Sequence, residues 1–303
     1  MKKLTYAVLL LIAIIFFSWL KMERRILPRR STREYWSLSP MPVPKKFEGY
    51  IYGAATHLYL KPATWTWLAR RVRGAESADT YHGKIMTNED ATKLITVNGP
   101  IELTGIEHVI PHPVARDIIL QSGEQRIAVL DCPCRAQKEK ACEPRDVCLV
   151  VGEPFAGFVI DHQPSKTRYV SRTEALSILD AENERGHIHT AWFKDVMHGR
   201  FYAICNCCSC CCLGMQSFLR GVPRIAHSGY LPVVDASKCR TCGACKSICP
   251  FSAIEATEKT VKITENVCMG CGVCATHCRH KAITLQLAPG RGVPLAIDIL
   301  VAE

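Results

Sequence analysis

Cys239-Arg-Thr-Cys242-Gly-Ala-Cys245-Lys-Ser-Ile-Cys249-Pro250 and Cys268-Met-Gly-Cys271-Gly-Val-Cys274-Ala-Thr-His-Cys278-Arg279 are two copies of one pattern, 29 residues apart. The likeness runs past the cysteines: Ala253-Ile254 recurs as Ala282-Ile283, and Val234 as Ile263. Self-similarity at a fixed period marks an internal duplication. Three cysteines at i, i+3 and i+6 on a tight turn aim three thiolates at three irons of one cube. The fourth, set beyond a helical turn, reaches the other cube. The spacing therefore predicts one 4Fe–4S cluster on Cys239, Cys242, Cys245 and Cys278, and a second on Cys268, Cys271, Cys274 and Cys249. Gly243, Ala244, Gly270 and Gly272 are small enough to bring backbone N–H groups close to the sulfides. Zinc would not need four cysteines per repeat at this spacing twice over.

Over residues 232–287 the chain resembles the bacterial two-cluster ferredoxins. The resemblance implies a domain at 231–290 made of β-hairpins and short helices about a pseudo-two-fold axis, with a tail at 291–303. One departure is Arg279, where that family usually has proline, inside a basic run of His277, Arg279, His280 and Lys281. Positive charge beside Cys278 favours the reduced, more negative state of a cluster held there.

Working back along the chain, residues 47–230 carry the other ten of the 18 cysteines. The first group is Cys132-Pro-Cys134-Arg135 with Cys142 and Cys148. The second runs from Cys205 to Cys212, six cysteines within eight residues. The coarse reading is an α/β domain. Arg126–Leu130 and Phe201–Ile204 are strand-like runs leading into the two groups. Gly157–Asp161 and His187–Trp192 are further strand candidates. Ser171 with Glu174 reads as a capping box opening a helix that ends at Gly186.

Adjacent cysteines make strained disulfides, and crowded thiolates repel, so this density points to metal. An additional Fe–S cluster is the preferred reading, with zinc, a thiol redox centre or a structural cysteine cluster as alternatives. Cys132, Cys134, Cys207 and Cys210 are a first grouping of ligands. Residues 105–290 also resemble a poorly characterised group of iron–sulfur proteins from anaerobic microbes. That likeness rests on Cys132-Pro-Cys-Arg135, Asp146-Val-Cys-Leu149, the helix at 171–186, His189-Thr190 and Cys205-Asn-Cys-Cys-Ser-Cys-Cys-Cys212, followed by the duplicated unit. It implies electron transfer and no defined substrate.

The N-terminus is different in kind. Leu4 to Leu20 is uncharged and apolar, and Lys21, Arg24, Arg25, Arg29, Arg30 and Arg33 follow it. That pattern predicts a single-pass anchor over residues 1–22, with the body facing the cytoplasm; a cleaved signal peptide or a buried core helix is the alternative. Residues 23–46 read as a basic, proline-rich linker. The net charge of +10 is concentrated there: residues 1–46 hold +8 and residues 47–303 only +2. A nucleic-acid partner is thereby disfavoured, because it needs a basic face on a folded domain.

The sequence as a whole reads as α+β, an electron-transfer component at the cytoplasmic membrane. Its expected partners are a soluble reductase or a membrane quinone or flavin protein. A ferredoxin-fed oxidoreductase with its metal centre in the middle domain, and a cysteine-based redox sensor, are the alternatives. No phosphate loop or nucleophile elbow is present. His187 and His189 alternate on a strand candidate and could be ligands, although plain strand histidines fit as well. Pro62 to Arg73, with Trp65, Leu68 and Val72 on one face, reads as a core helix or a membrane-surface helix.

Overall fold

The computed structural model describes residues 27–38, 40–60, 81–110, 117–121, 123–257 and 260–300. Its strands are β1 (Tyr81–Met86), β2 (Ile101–Thr104), β3 (Asp117–Leu120), β4 (Ile127–Asp131), β5 (Asp146–Val151), β6 (Thr167–Val170), β7 (Ile188–Lys194), β8 (Phe201–Cys207), β9 (Ile225–Ala226), β10 (Tyr230–Val234), β11 (Ile254–Ala256), β12 (Val261–Ile263) and β13 (Ile283–Leu287). The helices are α1 (Arg30–Ser37), α2 (Val43–Ala54), α3 (Thr56–Tyr59), α4 (Asn88–Thr96), α5 (Phe155–His162), α6 (Arg172–Glu184), α7 (Leu213–Leu219), α8 (Ala244–Ile248), α9 (Val273–Thr276) and α10 (Ile297–Leu300).

A seven-stranded sheet, ordered β6-β4-β5-β8-β7-β1-β9, organises the middle of the chain. Every pairing in it is antiparallel except β1 with β9. Alternate residues go to opposite faces. Ala128, Val150 and Trp192 join Tyr35, Tyr50, Phe155 and Phe158 from α1, α2 and α5 on one side. Val129, Leu149, Ile204 and Phe193 meet Leu94, Ile95, Ala175 and Leu179 from α4 and α6 on the other. Leu94, Leu149, Leu179 and Ile204 are fully buried; burying each such side chain contributes roughly 1.5–3 kcal/mol.

Helix α6 begins where the capping box placed it, the Ser171 hydroxyl accepting from the Glu174 N–H at 3.1 Å. Gly157–Asp161, expected as a strand, lies inside α5. A short apolar run does not distinguish strand from helix by periodicity. Here Phe155, Phe158 and Val159, at i, i+3 and i+4, form the helical face that enters the core.

Within the stretch read as a linker, α1 is packed rather than free. Tyr35 is 1% exposed, its hydroxyl donates to the Val196 carbonyl, and the Ser31 hydroxyl donates to Asp161 at 2.5 Å. Pro42 and Pro44 are accommodated at the start of α2, where a helix needs no N–H.

The expectation of a membrane-spanning N-terminal helix, and with it a single-pass placement in the cytoplasmic membrane, is corrected. No helix among the described residues is long and apolar enough to cross a membrane. Leu4–Leu20 and the Pro62–Arg73 segment lie outside the described residues. The weakness of the sequence argument is length: seventeen residues at ~1.5 Å each fall short of a hydrocarbon core about 30 Å thick.

The duplicated unit follows as two small ribbons. β10 pairs with β13 and β11 with β12, so each ribbon joins one copy to the other: Val234 faces Ile283, and Ile254 faces Ile263. The copies share their backbone conformations as well. Thr241 and Gly270, Gly243 and Gly272, and Ser252 and Lys281 form three equivalent pairs, all with positive φ. At Gly270 a side chain is excluded, since a Cβ would lie 2.0 Å from the Tyr230 carbonyl oxygen.

Candidate metal centres

The exchange of strands between copies has a chemical result. Cys239, Cys242 and Cys245 line one cavity, and the fourth cysteine on its wall is Cys278, from the other copy. Gly243 precedes α8 in the left-handed conformation, turning the chain so that Cys242 and Cys245 face the same space. On the second side, Cys249 crosses over. Burial, with the charges of Cys274, Cys249 and Cys268 adding to it, holds the Cys271 thiol well above its usual pKa. Burial followed by Cys268 and Cys249 pushes Cys274 up to about 12. Cys239, Cys242, Cys245 and Cys278 thus share one cavity, and Cys249 and Cys268 are close enough to act on Cys271 and Cys274. Each crossing sulfur also accepts a backbone N–H, Ala253 to Cys249 at 3.4 Å and Ala282 to Cys278 at 3.3 Å. Four thiolates per site suit iron–sulfur ligation.

The ten middle-domain cysteines separate into two sets. Six form a belt, with Cys132, Cys148, Cys207 and Cys212 buried and Cys134 and Cys205 half-buried. Cys148 on β5 sits opposite Cys205 on β8, and Cys207 shares their face two residues on. Contacts with Cys132 and Cys205, then burial, raise the Cys148 thiol well above its ordinary pKa. Contact with Cys134 is the main cause that brings Cys132 to about 12. The Cys134 thiol meets Cys132, which lowers its pKa, and Cys212, which with burial raises it overall. Cys212 lies 3.2 Å from Cys207, and the Thr190 hydroxyl is 3.1 Å from the same sulfur. Such thiols stay protonated until a metal displaces the protons.

The other four, Cys142, Cys208, Cys210 and Cys211, form a compact tetrad with all sulfurs within 4.8 Å of one another. The first grouping of Cys132, Cys134, Cys207 and Cys210 is therefore divided. Cys132, Cys134 and Cys207 belong to the belt and Cys210 to the tetrad. β8 ends at Cys207, and the turn beyond it carries Cys208, Cys210 and Cys211 away. The i, i+2 spacing of Cys205 and Cys207 on a strand was the available sequence signal for the belt. No local signal ties Cys142 to residues 68 positions away.

Arg135 fixes the loop that carries Cys132 and Cys134. It is 1% exposed, as is its partner Glu182. Its guanidinium donates to Glu182, to the Pro144 carbonyl and, at 3.1 Å, to the Asn206 carbonyl. His187 does not share a strand face with His189, because β7 begins at Ile188. Its Nδ1 meets Glu182 at 2.7 Å. His189 is buried against Asn206 Oδ1 at 2.6 Å.

The duplicated unit is seated on the middle domain. His277 Nε2 meets the Glu184 carbonyl at 3.0 Å, and Phe218 and Phe251 pack edge-on at 5.9 Å. Ile248 lies against Gly186. Cys207 and Cys212 of the belt share one continuous core with Cys249, Cys268 and Cys271.

Residues 231–279 match the family described as the 4Fe-4S dicluster domain. The chain is similar to an uncharacterized ferredoxin of Methanocaldococcus jannaschii, 42% identical over 59 residues, covering 19% of this chain and 33% of that protein. It is similar to Hydrogenase-4 component A of Escherichia coli, 29% identical over 84 residues, covering 26% and 41% of the two chains. Pyruvate synthase subunit PorD of Methanothermobacter marburgensis is 37% identical over 57 residues, 19% of this chain and 67% of that subunit. The chain thus spans between a third and two-fifths of the first two relatives. These likenesses support iron–sulfur electron transfer as the chemistry of the C-terminal unit. Through residues 231–279, the chain belongs to the 4Fe–4S dicluster domain family.

Proposed function

We propose that this chain is a multi-centre electron carrier. Cys239, Cys242, Cys245 and Cys278 hold one 4Fe–4S cluster, and Cys249, Cys268, Cys271 and Cys274 hold a second. Ligands among Cys132, Cys134, Cys148, Cys205, Cys207 and Cys212 hold a further iron–sulfur centre. Bound clusters of this kind supply one-electron oxidation and reduction, with no open iron for bond chemistry when every iron carries a cysteine.

The observation that carries the reading is the shared core. Cys268 and Cys271 of the duplicated unit and Cys207 and Cys212 of the belt are joined by continuous apolar packing. At the far side Cys242 is exposed. The first site therefore has a solvent-facing edge, where a partner protein can dock. N–H donation to Cys249 and Cys278 stabilises negative charge on those sulfurs. The redox partner is proposed to be an enzyme complex, in keeping with the hydrogenase and pyruvate synthase components among the relatives.

The alternative is a ferredoxin-fed oxidoreductase whose reacting centre lies in the belt. The belt's six sulfurs favour it, since a four-iron cube takes four. Iron and acid-labile sulfide analysis of anaerobically purified protein, with EPR of the reduced state, tests both. More iron and sulfide than two four-iron clusters account for is expected, with the surplus lost in Cys207→Ser/Cys212→Ser. Two clusters alone, with all six belt thiols freely alkylated, would overturn the third centre. A belt signal reshaped by small molecules would favour the enzyme.

A further inference from the structure

The tetrad of Cys142, Cys208, Cys210 and Cys211 differs from the other cysteine sets in its dimensions. Among the described residues it is the one group of three or more ligating side chains whose donor atoms all lie within 4.8 Å of one another. Cys142 lies 2.6 Å from Cys210 and 3.8 Å from Cys211, and Cys210 lies 3.5 Å from Cys211. Four sulfurs around one tetrahedral ion at ~2.3 Å stand about 3.8 Å apart. A four-iron cube spreads its thiolates further, because each sits on a different corner. The sulfurs lining the duplicated unit's cavity show that wider spacing, since no three of them meet the same limit.

We propose that Cys142, Cys208, Cys210 and Cys211 hold a single sulfide-free tetrahedral ion, zinc or mononuclear iron, separate from every iron–sulfur centre. With four thiolates the site is closed, so its role is structural. It pins the loop of residues 132–145 to the turn after β8, across 68 residues of chain between Cys142 and Cys210. Both segments carry belt cysteines, Cys132 and Cys134 on one side and Cys212 on the other. The ion therefore holds in register the two loops that wall the belt. Arg135 lies close to the charges of both Cys208 and Cys132, and offsets the negative charge a tetrathiolate leaves behind.

The test is elemental analysis of the full chain, purified anaerobically, with acid-labile sulfide measured on the same sample. One zinc, or one iron in excess of sulfide, is expected per chain. Where the ion is zinc, X-ray absorption at the zinc edge should show four sulfur neighbours at about 2.3 Å and no metal neighbour. For zinc this reads the wild-type protein directly, so a variant that fails to fold does not decide the matter. The metal in excess of sulfide should vanish in Cys142→Ser/Cys211→Ser, whether or not the belt keeps its own centre. An excess that survives in that variant, a metal–metal neighbour at the zinc edge, or a Cys142–Cys210 disulfide in the anaerobic protein would overturn the proposal. None of those outcomes bears on the clusters of the duplicated unit, so the two readings fail separately.

Discussion

Arg135→Met should destabilise the protein by about 3–5 kcal/mol, because it removes one partner from a buried ion pair. Both side chains of the pair are 1% exposed. Without Arg135, Glu182 keeps only His187 at 2.7 Å and Arg185 at 3.1 Å, and the Pro144 and Asn206 carbonyls lose a donor. The residual partners place the expectation at the low end, about 3 kcal/mol. Arg135→Met/Glu182→Met removes both charges and should cost clearly less than the sum of the single changes, by roughly 1–3 kcal/mol. The assay is anaerobic urea unfolding followed by circular dichroism, on the parent, both single variants and the double. Terms common to all four proteins, cofactor binding included, cancel in the cycle. Burial opposes the charge on Glu182, but the bonds from His187 and Arg135 prevail and lower its pKa. The stabilisation is therefore present above about pH 4.5 and lost as pH falls through the lower folded value. A cost below about 0.5 kcal/mol for Arg135→Met would refute the reasoning, since that is the range of an ordinary surface change.

Gly186 has φ +78°, and a Cβ there would come within 2.8 Å of Ile248 Cδ1. Gly186→Ala should cost about 1–2 kcal/mol from the left-handed backbone alone and speed proteolysis between the middle domain and the duplicated unit; unchanged thermal unfolding would contradict it. Cys249→Ser should alter the EPR signal of the cluster assigned to Cys268, Cys271 and Cys274, and a change confined to the other cluster would reverse the crossed assignment. His189 is buried, and that burial lowers its pKa to about 4. The unfolded chain then binds the extra proton first, so stability should fall as pH drops from about 6.5 towards 4, by up to ~1.4 kcal/mol per unit. His189→Asn should flatten that slope, measured by urea unfolding across the same range; an unchanged slope would sink the assignment. Chelation of the tetrad's ion should loosen the loop and speed tryptic cleavage at the already exposed Lys138 and Lys140, while a cleavage rate identical to that of the loaded protein would speak against a structural ion.

The duplicated unit was legible because its determinants are local. Three cysteines within seven residues and a left-handed Gly243 or Gly272 build each half-site from one turn of chain. Even the exchange of strands follows from the repeat, since each copy contributes one strand to each ribbon. Helix α6 was legible for the same reason, its cap and first turn being adjacent in sequence. Three other features needed the tertiary structure. The Phe155–His162 run became a helix because α1 and α2 offer it an apolar face to cover, which its own periodicity does not reveal. Arg135 and Glu182 are 47 residues apart, and only the packing of α6 beside the Cys132–Arg145 loop makes their burial tolerable. Above all, composition marked the middle domain's cysteines as candidate metal ligands but not how they divide. Cys207 and Cys208 are neighbours in the chain, yet one ends a strand on the belt's face and the other begins the turn that builds the tetrad. Residue type and density depend on sequence alone; which sulfurs meet depends on where the strands stop.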